Sequence, residues 1–227
     1  MTGRWTLRRL DGAPADFLAR PLPEPAGREV WWYEPPAPVL VLGSTQRDAV
    51  VDRSAARRAG TDVVRRRSGG GAVLVAPGDA VWVDIVLPRE DPWWVDDVSR
   101  SSDRLGEVWA EVVRRTAPGR TSVHHGTLVR GPWSDLVCFP GLGPGEVRLD
   151  DRKVVGISQR RTRAGARFQC LLVRRWDPVG ILALLDLDDA ARQQALVDLA
   201  GAVGGVDVAP EAAVSRFLDA LGEAEPG

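Results

Sequence analysis

The chain has 227 residues, of which 44% are apolar; this is enough for one hydrophobic core, and a single folded unit over residues 1–227 is expected. A net charge of −1 argues against a general nucleic-acid or membrane-surface binder. No apolar run is long enough to span a bilayer and the start, Met1 to Trp5, lacks the apolar stretch of a leader, so a cytoplasmic protein is expected.

In chain order, Trp5 to Leu10 has the composition of a strand, and the proline-rich stretch through Pro21, Pro23 and Pro25 reads as connection. Glu29 to Leu42 contains two strand pieces broken by prolines, ending at Gly43-Ser44-Thr45-Gln46 at a pocket edge. A helix is expected over Val50 to Ala59, with Asp48 near its start and Gly60 as its stop. Thr61 to Val64 is the strand that leads to Arg65-Arg66-Arg67-Ser68-Gly69-Gly70-Gly71-Ala72-Val73. Ala72 to Val75 and Ala80 to Leu87, separated by the turn residues Ala76-Pro77-Gly78-Asp79, predict a hairpin.

The apolar spacing from Asp96 to Thr116 predicts the longest amphipathic helix, preceded by Trp93 and Trp94 as core residues. Thr121 to Arg130 reads as a strand carrying His124 and His125; no nearby acidic residue orients them and no catalytic role is expected. Glu146 to Leu149 and Lys153 to Gln159 form a second hairpin through Asp150-Asp151-Arg152, and Phe168 to Val173 is a further strand. From Pro178 the composition turns to alanine and leucine, predicting helices over Val179 to Leu185, Asp189 to Ala200 and Pro210 to Leu221. Strands joined by hairpins, with helices packed on them, make an α+β fold with a mainly antiparallel sheet.

Two features carry chemistry. Three consecutive glycines after three arginines let the backbone approach a ligand closely, with guanidiniums beside it for anion recognition. Of the 30 basic residues, Lys153 is the only lysine, which suggests a position where a compact ammonium is needed. The two cysteines, Cys138 and Cys170, are too few and too widely spaced for a disulfide framework or a zinc pattern, and no metal site is expected from them. Each is either a small buried hydrophobe or a reactive thiol.

Arg65 to Val73, together with Arg152-Lys153-Val154-Val155-Gly156-Ile157-Ser158-Gln159-Arg160 and the Gly43 to Gln46 edge, resembles the signature segments of the lipoate-protein ligase and octanoyltransferase family. The resemblance covers about residues 29 to 175 and implies the biotin/lipoate protein ligase catalytic fold, without the C-terminal accessory domain of some ligases. It implies acyl transfer of lipoate or octanoate to a lysine of a lipoyl carrier domain, in a 2-oxoacid dehydrogenase or the glycine-cleavage H protein.

In the ligase form of that chemistry ATP and magnesium give an acyl-adenylate, and Lys153 and Arg66 would orient carboxylate and phosphate. Ser68, Gly69, Gly70, Gly71, Ala72, Gly78, Asp79, Gly156 and Ser158 would bind substrate or nucleotide, and strands around Val73, Val81 and Val83 would line the acyl tunnel. In the transferase form, which needs no cofactor, Cys138 would carry the acyl group as a thioester taken from a carrier. A third reading is a non-catalytic member that binds an acyl chain or a carrier domain. The sequence departs from the ligase pattern at Leu74-Val75-Ala76, where an aromatic, a histidine and an aspartate are usual, and at Asp79, where an asparagine is usual.

Overall fold

The computed structural model describes residues 4–225; Met1, Thr2 and Gly3, on which part of the sequence reading of the start rests, lie outside the described residues, as do Pro226 and Gly227. The strands are β1 (Thr6–Leu10), β2 (Glu29–Tyr33), β3 (Val39–Leu42), β4 (Asp62–Arg65), β5 (Val73–Val75), β6 (Ala80–Pro88), β7 (Thr121–Val123), β8 (Val147–Leu149), β9 (Arg152–Arg161) and β10 (Gly165–Val173). The helices are α1 (Pro14–Ala19), α2 (Arg53–Arg58), α3 (Asp103–Arg114), α4 (Pro178–Ala183), α5 (Asp189–Ala200) and α6 (Pro210–Glu223). Seven strands form one sheet in the order β1-β2-β6-β10-β9-β8-β7, and three form a second in the order β4-β3-β5. All pairings are antiparallel except β1 with β2 and β3 with β4. The α+β, mainly antiparallel architecture read from the sequence is therefore the one observed.

The central strands are buried on both faces, and their alternation sorts side chains into two layers. Val30 and Trp32 of β2, Val81, Val83, Ile85 and Leu87 of β6, and Phe168, Cys170 and Leu172 of β10 pack with α3 and α6 on one side. There Trp109 and Phe217 stack at 4.4 Å between ring centroids. Trp31 and Tyr33 of β2 and Trp82 of β6 point to the other face, against β3, β5 and α1. That second face, covered by the small sheet, is where the candidate site lies. Helices α4 and α5 close the outside of the small sheet through Ile181, Leu182 and Leu199.

Several boundaries differ from the sequence reading. Val73–Val75 and Ala80–Pro88 do not pair as a hairpin: β5 joins the small sheet beside β3 and β6 crosses into the large one beside β2 and β10. Turn chemistry at Pro77-Gly78-Asp79 reverses the chain without deciding which strand receives it. The second helix begins at Arg53, not Val50, because Asp52 accepts the amides of Ser54 and Ala55 as its N-cap, while Asp48 starts a separate 3₁₀ turn. The long helix begins at Asp103, so Val98 lies outside it and is 56% exposed. The strand at Thr121 stops at Val123, before both histidines. The short helix Pro14–Ala19, opened by a proline in its first turn, falls between β1 and the proline-rich connection. Among the described residues no helix is long and apolar enough to cross a membrane.

The second predicted hairpin is present. β8 and β9 are joined by a two-residue turn in which Asp150 (φ 47°) and Asp151 (φ 67°) both take the left-handed conformation. This turn places Lys153 two positions into β9.

Candidate active site

Between the two sheets lies an apolar cavity of about 70 Å³. Its walls come from Val41 of β3, Val73 and Val75 of β5, Trp82 of β6, and Gly156, Ile157 and Leu171 of the β9–β10 pair. Of the three valines expected to form an acyl tunnel, only Val73 lines the cavity. Val81 and Val83 point to the opposite face of β6, among α3 and α6, because neighbours along a strand face opposite ways.

Gly69, Gly70, Gly71 and Ala72 are not on the cavity wall; the segment adjoins it through Arg66 and Cys138, and its glycines have separable reasons. A Cβ on Gly43 would meet the Gly70 carbonyl oxygen at 1.8 Å, and one on Gly71 would meet the Val137 backbone at 2.5 Å. Gly70 also has φ +96°, whereas a Cβ on Gly69 would meet nothing within 4 Å. The loop is thus clamped between the edge after β3 and the Val137-Cys138 segment. Ala72 completes the clamp, its amide donating to the Leu136 carbonyl at 2.8 Å and its carbonyl accepting from the Cys138 amide at 2.9 Å. Gln46 braces the same junction: its Oε1 accepts from the Gly43 amide at 2.9 Å, and its Nε2 donates to the carbonyls of Asp135 and Leu136, each at 3.0 Å.

Arg66 is buried and lines the cavity, with its guanidinium donating to the carbonyls of Gly69 and Gly71 at 2.7 and 2.9 Å. It staples the loop from inside. Ser68, which is not on the cavity wall, donates to Ser158, which is, Oγ to Oγ at 3.1 Å.

Lys153 is 4% exposed, and its ammonium is held by Glu146 Oε2 at 2.6 Å and by the Gly141 carbonyl at 2.9 Å, 4.8 Å from the centre of the Phe139 ring. Its backbone is pinned too, since its amide donates to Ala202 and its carbonyl accepts from Gly204. Glu146 was not singled out from the sequence. Its carboxylate accepts from the amides of Gly143 and Ile157 and faces the cavity, so it joins Lys153 to the cavity wall. The signal that could have found it is the chemistry of a sole lysine: a buried ammonium needs a buried carboxylate.

Gly156 fits against this pair, a Cβ there falling 3.2 Å from Phe139 Cζ and 3.5 Å from Lys153 Cε. Cys138 is half-buried and lines the cavity, with a Cβ on Gly70 only 3.4 Å from its Sγ. Gly141 connects the two candidate groups, its amide donating to Cys138 and its carbonyl accepting from Lys153. Cys170 is fully buried against Trp109, and burial pushes its thiol well above the usual range.

Gly78 and Asp79 are not brought to this cavity. They lie on the far side of Phe139, where Asp79 pairs with Arg175 at 2.6 Å and the Gly78 carbonyl accepts from Arg174. His125 faces Asp103 and Glu107 of α3 at 3.4 and 3.2 Å, carboxylates distant in sequence. Among the described residues no group of three or more His, Cys, Asp or Glu side chains converges as a metal-ligand set. The carboxylate at the cavity, Glu146, is already held by an ammonium, and Asp79 by a guanidinium, so neither is free to hold a magnesium ion in this arrangement.

The fold and this site can be placed against known proteins. Over its full described length the chain is similar to a structure reported for a bi-partite lipoate protein ligase and its E2 lipoyl domain from Thermoplasma acidophilum, with a TM-score of 0.71, 16% identity, and coverage of 99% of this chain and 84% of that one. Lipoate-protein ligase A bound with ATP gives a TM-score of 0.65 at 16% identity, covering 99% and 85%. The LipL1 protein of P. falciparum in complex with lipoate gives 0.64 at 9% identity, covering 97% and 62%. No curated protein matches the sequence. The family model for the lipoyl protein ligase A/B catalytic domain matches residues 16–197, which span the glycine loop, Cys138, Glu146 and Lys153, and the chain belongs to that family.

Proposed function

We propose that this chain acts as one catalytic domain that holds a lipoate- or octanoate-sized acyl group and transfers its carbonyl to a lysine of a lipoyl carrier domain. The observation that carries this reading is the apolar cavity between the two sheets, with Cys138 and Arg66 on its wall and Lys153 joined to it through Glu146. Apolar walls with few polar groups suit a saturated chain, and the polar groups gather where a carbonyl would react.

The position of Cys138 favours a thioester route. Its thiolate attacks the carbonyl carbon of an acyl thioester; the donor's carbon–sulfur bond breaks, and the donor leaves as a thiol carrying the proton that Cys138 gave up. The neutral amine of the carrier lysine then attacks the acyl-cysteine, an amide forms, and the Cys138 sulfur leaves and takes up the amine's proton. Lys153, drawn from Glu146 toward the developing oxyanion, would supply positive charge where the tetrahedral species carries its negative charge.

A second reading, activation of the free acid with ATP, is supported by the similarity to a ligase bound with ATP and by Lys153 as the sole lysine. ATP would supply the adenylate leaving group, and Lys153 would hold the acid's carboxylate.

Intact-mass spectrometry of a lipoyl carrier domain separates the two. Incubation with octanoyl carrier thioester is expected to add the octanoyl mass, with Cys138→Ala inactive and Lys153→Ala slowed. A mass shift that requires free acid, ATP and magnesium and survives Cys138→Ala establishes the ligase instead. No shift in either arm overturns the catalytic reading and leaves an acyl- or carrier-binding protein.

A further inference from the structure

Beyond the acyl cavity, on the side away from Lys153, the surface opens into a second hollow of about 320 Å³. Five arginines line it (Arg20, Arg67, Arg160, Arg163 and Arg167), against Glu24 as the acidic side chain of its wall. Arg167 is committed: its Nε donates to the buried Asp84 at 2.6 Å and its other nitrogens to carbonyls of α1 and the residue after it. Arg67, Arg160 and Arg163 are exposed, and among the described residues none of the three has a carboxylate partner. Some other guanidiniums are paired, Arg28 with Asp91, Arg65 with Asp48 and Arg175 with Asp79, and what sets Arg67, Arg160 and Arg163 apart is that they share one hollow. Like charges gathered around one hollow repel, so the arrangement calls for an anion from outside the chain.

Strand register connects this hollow to the cavity. Three cross-strand pairs of β10 and β9 follow one another on one face: Leu171 with Gly156, Gln169 with Ser158, and Arg167 with Arg160. The first two pairs line the acyl cavity and the third lines the hollow. Gln169 belongs to both walls, and its amide reaches Asp84 only at 3.4 Å, a weak tether for the one side chain shared by both. From Gly156 to Arg160 the strand advances four residues, about 13 Å at roughly 3.3 Å per residue. An acyl chain with its reacting carbonyl at Glu146 and Cys138 would run along this row and end at Gln169.

We propose that the cavity is open at this end and that the acid it takes carries a second, distal carboxylate, which passes Gln169 and seats among Arg67, Arg160 and Arg163. This rests on the reading of the apolar cavity as the acyl site. A methyl or dithiolane end gains nothing from three unpaired guanidiniums, whereas a carboxylate gains charge-assisted, bidentate hydrogen bonds.

The test is direct binding, by calorimetry on the whole chain, of octanoate, decanoate, octanedioate, decanedioate and inorganic phosphate. The expected result is that at least one diacid binds ten-fold or more tightly than its monoacid. That advantage shrinks with added salt and vanishes in Arg160→Gln/Arg163→Gln, whose monoacid affinity stays at the wild-type value. Arg67→Gln serves as an independent variant, since all three side chains are exposed and their loss leaves the core intact. Phosphate is expected to compete with the diacid and not with the monoacid. Equal affinities for mono- and diacids overturn the proposal while leaving the acyl reading standing, as does a diacid advantage that survives both variants. If phosphate binds the arginines but no diacid advantage exists, the hollow is a separate anion site and the open-ended cavity is wrong. If no acid binds at all, the proposal falls, and the acyl reading is decided by the carrier-domain mass shift alone.

Discussion

At the residue scale the site turns on a buried ion pair. Lys153 and Glu146 are 4% and 7% exposed at their side chains, and each would be costly alone in this position. Replacing Lys153 by alanine leaves Glu146 without its counter-charge, so a loss of about 3–5 kcal/mol in unfolding free energy is expected, read by urea denaturation. Glu146→Gln keeps an acceptor oxygen for only one of the Gly143 and Ile157 amides, which donate to different oxygens of the carboxylate, but leaves no unpaired buried charge on residue 146 and is expected to lose less stability. It also frees the ammonium, so acyl transfer changes through the rate of the chemical step more than through acyl affinity. If Glu146→Gln matches wild type in both transfer and stability, the carboxylate does not hold the lysine. Acid sensitivity belongs at this scale too. Hydrogen bonding to Arg8 holds Glu29 below the usual carboxylate range, and backbone amides do the same for Asp52. A carboxylate depressed in the folded state contributes stability that is complete above its unfolded value and lost as pH falls through the folded one. Melting temperature should therefore fall between about pH 5 and pH 2, where the ordinary carboxylate values lie above the depressed ones.

At the element scale, the glycine loop is held by close backbone approach. Gly43→Ala places a methyl 1.8 Å from the Gly70 carbonyl and cannot be absorbed without moving the loop, whereas Gly69→Ala points into open space. The first is expected to lower both melting temperature and acyl binding, and the second to leave melting unchanged; equal effects would mean that the loop adopts another arrangement. Helices α3 and α6 cover the far face of the large sheet through Trp109 and Phe217, both fully buried. Phe217→Ala should cost about 3–5 kcal/mol in a urea melt while leaving acyl affinity intact, because the site lies on the opposite face of the sheet.

At the scale of the whole molecule, the site exists because two sheets of different parentage face one another. The large sheet supplies Trp82, Gly156 and Leu171, the small sheet Val41, Val73 and Val75, and the irregular segment after β7 supplies Cys138 and Phe139. Filling the space between the sheets should block the acyl chain: Gly156→Val is expected to abolish octanoate binding, since even a methyl there reaches Phe139 at 3.2 Å. Retained binding in that variant would put the acyl chain elsewhere. The termini are tied on the opposite side, where Glu225 receives Arg28 at 2.6 Å and the Trp5 indole at 2.8 Å, joining the start of the large sheet to the end of α6.

Local chemistry wrote a good part of this into the sequence. The hairpin through Asp150-Asp151-Arg152, the β-rich composition of β6 and β10, and the apolar stripe of α6 are short-range patterns, and each predicts its own element. The sole lysine and the glycine triplet marked the site because residue type alone restricts what they can do. What the sequence could not supply were partners distant along the chain. Whether Val73–Val75 pairs with β3 or with β6 depends on which sheet edge is free, and which valine faces the cavity depends on that register. The same holds for Glu146 under Lys153, for Arg66 turned inward onto glycine carbonyls, and for three arginines from two separate segments around one hollow. Those juxtapositions are decided by packing, since burial and pairing energies are realised only when the sheets have closed on each other.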